Sequence, residues 1–254
     1  MQQFNFNPGQ NPNVFQRQGV VTDTVRKSIL EAYSWMFAGL IVTGLTAFFT
    51  AKSGLLEFFL NEMPLLFFGI IIGQLGLTIA FTVLRNKVSS GVLKGLFLVF
   101  ALTMGVTLST IFTLPSARNF GGGYSDTTIL TALMISAVYF GCLVFIGMTT
   151  KKDMSKIGVI CFTGLIAMII TQLILFFFGV SFSTRLISII GLLAFTGLTA
   201  WDVQRLNQTM LMCEGQPVEQ QKWAIYFALT LYLDFINIFL KILQLLGSGS
   251  RSSK

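Results

Sequence analysis

Apolar residues run along this chain in seven long blocks, separated by short polar connections. Each block approaches the roughly 20 residues that a helix needs to cross a bilayer. The blocks predict helices near residues 30–51, 64–84, 92–114, 128–149, 156–178, 186–206 and 224–246. Runs such as "GLIAMIITQLILFFF" are apolar without alternation. A membrane β-barrel strand would alternate between lipid-facing and lumen-facing residues. The expected fold is therefore an all-α integral membrane protein with seven transmembrane helices.

The polar remainder sets the domain plan. Residues 1–27, rich in Asn, Gln, Pro and Gly, read as a flexible cytoplasmic tail. Residues 28–247 form the seven-helix domain, and residues 248–254 a second flexible tail. The first 27 residues hold no apolar core of the kind a cleavable signal peptide needs.

Composition supports the same class. The chain has 254 residues, of which 54% are hydrophobic and only 11% charged. A mean hydropathy of +0.76 is too apolar for a soluble domain of this length. Histidine is absent, which removes the usual general base and a common metal ligand. Cys142, Cys161 and Cys213 form no CxxC pair, and two lie in predicted spans, so they are expected as small core thiols. No enzyme activity and no resident cofactor are expected.

Basic residues give the orientation. Arg17, Arg26 and Lys27 precede the first span. Arg85, Lys87 and Lys94 surround the second connection, Lys151, Lys152 and Lys156 the fourth, and Arg205 and Lys222 the sixth. The other connections carry only Lys52, Arg118 and Arg185. The positive-inside bias then places the N-terminus in the cytoplasm and the C-terminus across the membrane. A net charge of +7 fits this bias and contact with anionic lipid, and gives no support for nucleic-acid binding. Trp35 and Trp201 fall near cytoplasmic span ends, where an interfacial belt is expected.

Polar residues within the spans are more informative. Gly69, Gly73 and Gly76 have small-xxx-small spacing and predict close helix packing. Gln74, beside them, reads as interhelical glue or a cavity wall. Asp202 lies near the cytoplasmic end of the sixth span, and Asp234 near the middle of the seventh. The midpoint of 202 and 234 is 218, beside Pro217, and Gly215 is a second turn signal. If the sixth helix continues towards Met212 and the chain reverses there, an antiparallel hairpin brings both aspartates to one level.

The seventh span also carries a polar stripe: Tyr226, Thr230, Asp234, Asn237, Lys241 and Gln244 recur at steps of three or four. That spacing keeps them on one helical face. In lipid such a face turns to the bundle interior or a water path. Lys241, near the outer end, is expected to snorkel to the interface. Two carboxylates in a poorly hydrated site cannot both ionise freely, and they titrate as a pair. A shared proton, a cation or a basic side chain each answers the problem. Arg85 is the first basic candidate and Lys87 the second.

"TGLTAWDVQRL" and "LTLYLDFINIFLKIL", together with "VTLSTIF" and "MTTKKDMSKIG", resemble the Bax inhibitor-1 (transmembrane Bax inhibitor motif) family. The resemblance covers the chain after about Lys27. It implies that the seventh helix is central, surrounded by the first six, and that the protein is a pH-sensitive calcium leak. It implies that Asp202 and Asp234 form the proton sensor and tentative calcium site, and that Arg85 is a latch on Asp202. Trp201 stands where the family more often has Tyr. Thr230 and Asn237 are expected to support the ion path. The short cytoplasmic loops suggest a bacterial inner-membrane protein, expected to be a monomer whose partners are lipid, calcium and protons.

Two rivals share features. An intramembrane aspartyl protease also uses aspartates on the sixth and seventh helices, but Leu231, Tyr232 and Leu233 replace its Gly-x-Gly before Asp234. A retinal protein needs a lysine four residues after the aspartate, whereas Asp234 and Lys241 are seven apart.

Overall fold

A computed structural model describes residues 23–113, 124–178 and 183–249. Its helices are α1 (Asp23–Lys52), α2 (Leu55–Asn61), α3 (Pro64–Leu84), α4 (Ser90–Leu108), α5 (Thr110–Thr113), α6 (Asp126–Thr149), α7 (Ser155–Phe177), α8 (Thr184–Met212) and α9 (Pro217–Gly249). Among the described residues, seven helices or helical runs are long and apolar enough to cross a membrane. They correspond to the seven predicted spans. Residues 1–22 of the N-terminal tail, with Arg17, lie outside the described residues. So do Arg118 and residues 250–254.

Hydrophobic length locates the spans but not their ends. Residues 23–27, assigned to the tail, form the first turn of α1, because Val25, Ile29 and Ala32 continue one buried face. The third span breaks at Ser109, with the short α5 beyond it. The sixth runs on to Met212, and α9 starts at Pro217. Between them Gly215 adopts φ 83°, a left-handed conformation that favours glycine. Proline then opens α9, at a position where its missing N–H costs no helix bond.

The last helix is the most buried. In its most apolar stretch 67% of the residues are buried, against 11% for α7 and 17% for α3. It packs on α8, α1, α6 and α4, whereas α3 rests chiefly on α4 and α7 on α8. Tyr232 fixes one side of this arrangement. Its ring meets Phe97 and Phe100 edge-on at 5.6 and 5.9 Å. Its hydroxyl and the Thr43 hydroxyl lie 2.7 Å apart, and Thr43 also donates to the Ala101 carbonyl at 2.9 Å. One polar knot thus joins α1, α4 and α9, and buried polar groups without such partners would be costly. On the other side Ser188 of α8 donates to Gln244 of α9 at 2.8 Å.

Close packing by glycine occurs elsewhere than the sequence pattern suggests. Gly69, Gly73 and Gly76 are exposed on α3 with open space where a Cβ would stand. They do not pack helices together within this chain. Gly147 of α6 does: a Cβ there would lie 2.7 Å from the Ala200 carbonyl oxygen of α8. Gln74 proves to be interhelical glue, donating to Thr107 of α4 at 2.7 Å. Cys142 is exposed rather than in the core, whereas Cys213 is buried; all three thiols are free.

These contacts predict opposite outcomes for two similar substitutions. Gly147→Ala must push α6 off α8 and should lower stability by about 1–3 kcal/mol. Gly73→Ala should change it by less than about 0.5 kcal/mol. Thermal unfolding of the detergent-solubilised protein checks both.

Candidate functional site

The long hairpin of α8 and α9 places Asp202 and Asp234 in the wall of the same cavity. Each is only 3% exposed. The cavity has a volume of about 690 Å³ and lies over α9 and α8, walled on its flanks by α3 and α7. Since α3 and α7 rest on different neighbours, they leave the space between them unfilled by packing. Along α9 the lining extends from Tyr226 to Lys241, about 22 Å of helix at 1.5 Å per residue.

Five residues of the polar stripe line it: Tyr226, Thr230, Asp234, Asn237 and Lys241. Gln244 is instead held by Ser188. Thr230 donates to the Tyr226 carbonyl at 3.1 Å and Asn237 to the Leu233 carbonyl at 2.8 Å. Both therefore bond their own helix while remaining in the cavity wall. Lys241 is half-buried. Its Cε would lie 2.8 Å from a Cβ at Gly191 of α8, so the bare backbone there makes room for the stem.

The two carboxyls differ in their partners. Arg205 Nη1 donates to Asp202 Oδ1 at 3.3 Å, an i,i+3 ion pair within α8. The Arg205 guanidinium also lies over the Trp201 ring at 4.5 Å and the Phe227 ring at 5.8 Å. The side chain is thus held between its own helix and α9. Asp234 has no ion-pair partner among the described residues; Thr199 of α8 is its hydroxyl neighbour, although Asp234 Oδ2 and Thr199 Oγ1 are not in good hydrogen-bond geometry. A buried polar atom without a partner calls for water, an ion or a proton. Asp202 is close enough for its charge to act directly on Asp234.

Arg85 takes a different place from the one the sequence suggests. It does not pair with Asp202 in this conformation. Its guanidinium stacks on Trp223 at 3.4 Å and faces Tyr226 at 5.2 Å, while Nε donates to Asn86 at 3.2 Å. An aromatic face attracts a guanidinium strongly once water is partly removed. Burial pulls Arg85 below its ordinary range, opposed by Tyr226 and Glu219, and a guanidinium so placed stays cationic at neutral pH. Lys87 is exposed. Just beyond α8, burial and Glu219 push the Cys213 thiol up, which keeps it protonated. Trp201 lines the cavity.

Sequence reasoning missed three parts of the site. Arg205 was counted only as a cytoplasmic positive charge, although its i,i+3 spacing from Asp202 is an ion-pair signal. Thr78 and Thr82 of α3 line the cavity, and their hydroxyls bond carbonyls of their own helix. That habit makes them inconspicuous among the other span threonines. Gln204 was also overlooked. Its Nε2 donates to the Thr150 and Lys152 carbonyls at 3.1 and 2.8 Å, and its Oε1 accepts from Met154 N–H at 3.0 Å. It fastens the α6–α7 connection beside Asp202.

Among the described residues no group of three or more His, Cys, Asp or Glu gathers as a metal centre. Two carboxylates alone fall short of the roughly six to eight oxygens that calcium prefers.

Comparison with known proteins agrees with this architecture. The family described as "Inhibitor of apoptosis-promoting Bax1" matches residues 25–251. The inner membrane protein YbhL of Escherichia coli (strain K12) is 33% identical over 219 residues, covering 86% of this chain and 90% of that protein. An uncharacterised protein of Borreliella burgdorferi is 34% identical over 221 residues, covering 87% and 91%. An uncharacterised membrane protein of Streptococcus pyogenes serotype M3 is 32% identical over 210 residues, covering 80% and 86%. With its seven apolar helices and its match along nearly the whole chain, this multi-pass integral membrane protein belongs to the Bax inhibitor-1 family.

Proposed function

We propose that the protein is a passive, pH-sensitive path for cations, with calcium the favoured ion, and that Asp234 is the group at which protons and cations compete. The observation that carries this reading is the buried Asp234 carboxyl, with no ion-pair partner among the described residues, in the wall of a cavity that follows α9 for most of a bilayer's thickness. A carboxylate oxygen suits a hard cation such as calcium. Because Arg205 already neutralises Asp202, the two aspartates have separate tasks. Asp202 is the anchored member and Asp234 the exchangeable one. With the basic connections inside, the Tyr226 end of the cavity faces the cytoplasm and the Lys241 end faces the opposite side.

The ion pair also weighs against the protease reading. An aspartyl protease pair shares one proton between two carboxyls to activate water. A guanidinium bound to one of them removes that symmetry.

Calcium entry into proteoliposomes across about pH 5–8 tests the proposal. Wild type should show flux that depends on pH. Asp234→Asn should lose that dependence, because an amide neither titrates nor carries charge. Wild-type flux and pH response in both Asp202→Asn and Asp234→Asn would defeat the reading.

The ion pair has its own test, read by unfolding at neutral pH. Arg205→Met leaves Asp202 buried and unpaired and should cost about 3 kcal/mol. Adding Asp202→Asn should restore most of that loss, since the charge that needed a partner is gone. Additive losses would show that the pair is not coupled.

A further inference from the structure

Lys241 lies two helical turns beyond Asp234 on the same face of α9 and lines the same cavity. It has no carboxylate within ion-pair distance among the described residues, in contrast to Lys94, Arg205 and Lys222. Its stem is fitted against Gly191 and lies near the Met168 methyl. Lys241 is half-buried and lines the cavity. A cation moving along the stripe between Asp234 and the C-terminal end of α9 must pass it. The separation is about 10 Å along the helix, short enough in a poorly hydrated space for direct repulsion.

The other ionisable groups in the cavity wall are Asp202, Asp234, Arg205 and Tyr226. With Asp202 matched by Arg205, Lys241 balances Asp234. When Asp234 takes a proton, the cavity is left with one net positive charge. The cavity therefore has no built-in excess of negative charge with which to hold a cation.

We propose that Lys241 is an electrostatic barrier in this cavity, which limits cation passage and opposes the preference for calcium at Asp234 by restraining divalent more than monovalent cations. The proposal rests on the cation-path reading above. Fixed positive charges reject cations in other membrane pores by the same physics. The energy of a barrier made by one fixed charge scales with the charge of the passing ion, so its effect on calcium is the square of its effect on sodium.

A charge series at this position, measured as calcium and sodium entry into proteoliposomes at constant pH, tests it. Lys241→Met and Lys241→Gln should each raise calcium entry about tenfold and sodium entry about threefold. Lys241→Glu should raise them about a hundredfold and about tenfold. The two neutral variants differ in shape and polarity, so agreement between them ties the effect to charge. Thermal unfolding confirms that each variant is folded. Equal gains for the two ions would mean a change of shape, and would overturn the proposal. Calcium entry unchanged in all three variants, with Asp234→Asn still altering it, would overturn the role of Lys241 and leave the cation path standing. Flux no greater than in empty liposomes, in wild type and every variant, would overturn both.

Discussion

Two carboxyl groups buried in a membrane protein set the terms for the rest of this structure. An ionised carboxylate in a low-dielectric interior is expensive unless something answers its charge. Arg205 answers Asp202 from one turn along the same helix, at 3.3 Å. Among the described residues no cationic side chain pairs with Asp234. The asymmetry separates an acid held in an ion pair from one that is not. The other features of the site serve to keep that difference. Trp201 and Phe227 hold the guanidinium, Gln204 fastens the neighbouring connection, and the α8–α9 hairpin sets both acids in one cavity wall.

The same helix has to be both core and cavity wall. Most of α9 is buried against α8, α1, α6 and α4. Tyr232, Leu231 and Ile238 are fully enclosed on those sides. The remaining face, from Tyr226 to Lys241, opens into the cavity. The two demands are compatible because helical periodicity separates them by angle, not by position along the chain. Residues two or three apart can therefore serve packing and polar chemistry within one apolar run. Meanwhile α3 and α7 stay peripheral, which leaves space over the polar face. A bundle closed tightly on every side of α9 would bury the stripe dry.

Much of this was legible from the chain. Seven spans follow from hydrophobic length, and the α8–α9 hairpin from Gly215, Pro217 and the symmetry of residues 202 and 234. The stripe on α9 needed only spacing. Helix ends were less legible, because a helix continues past the bilayer wherever a face still packs, as Val25 and Ile29 do. Arg205 was obscured because one basic residue can serve topology and an ion pair together. For Arg85 the sequence suggested a charge partner, whereas in this conformation its guanidinium lies on the aromatic faces of Trp223 and Tyr226. The glycines show a similar limit. Spacing marks Gly69, Gly73 and Gly76 as packing residues, yet spacing alone does not say which neighbour approaches. Gly147 has no such pattern and meets a backbone oxygen.

The central claim is that Asp234 exchanges protons while Arg205 anchors Asp202. Infrared difference spectroscopy of the protein in lipid bilayers, on acidification from about pH 8 to about pH 5, observes carboxyl protonation directly. The account predicts a protonated-carboxyl band that persists in Asp202→Asn and disappears in Asp234→Asn. A band that survives in Asp234→Asn and disappears in Asp202→Asn would contradict it.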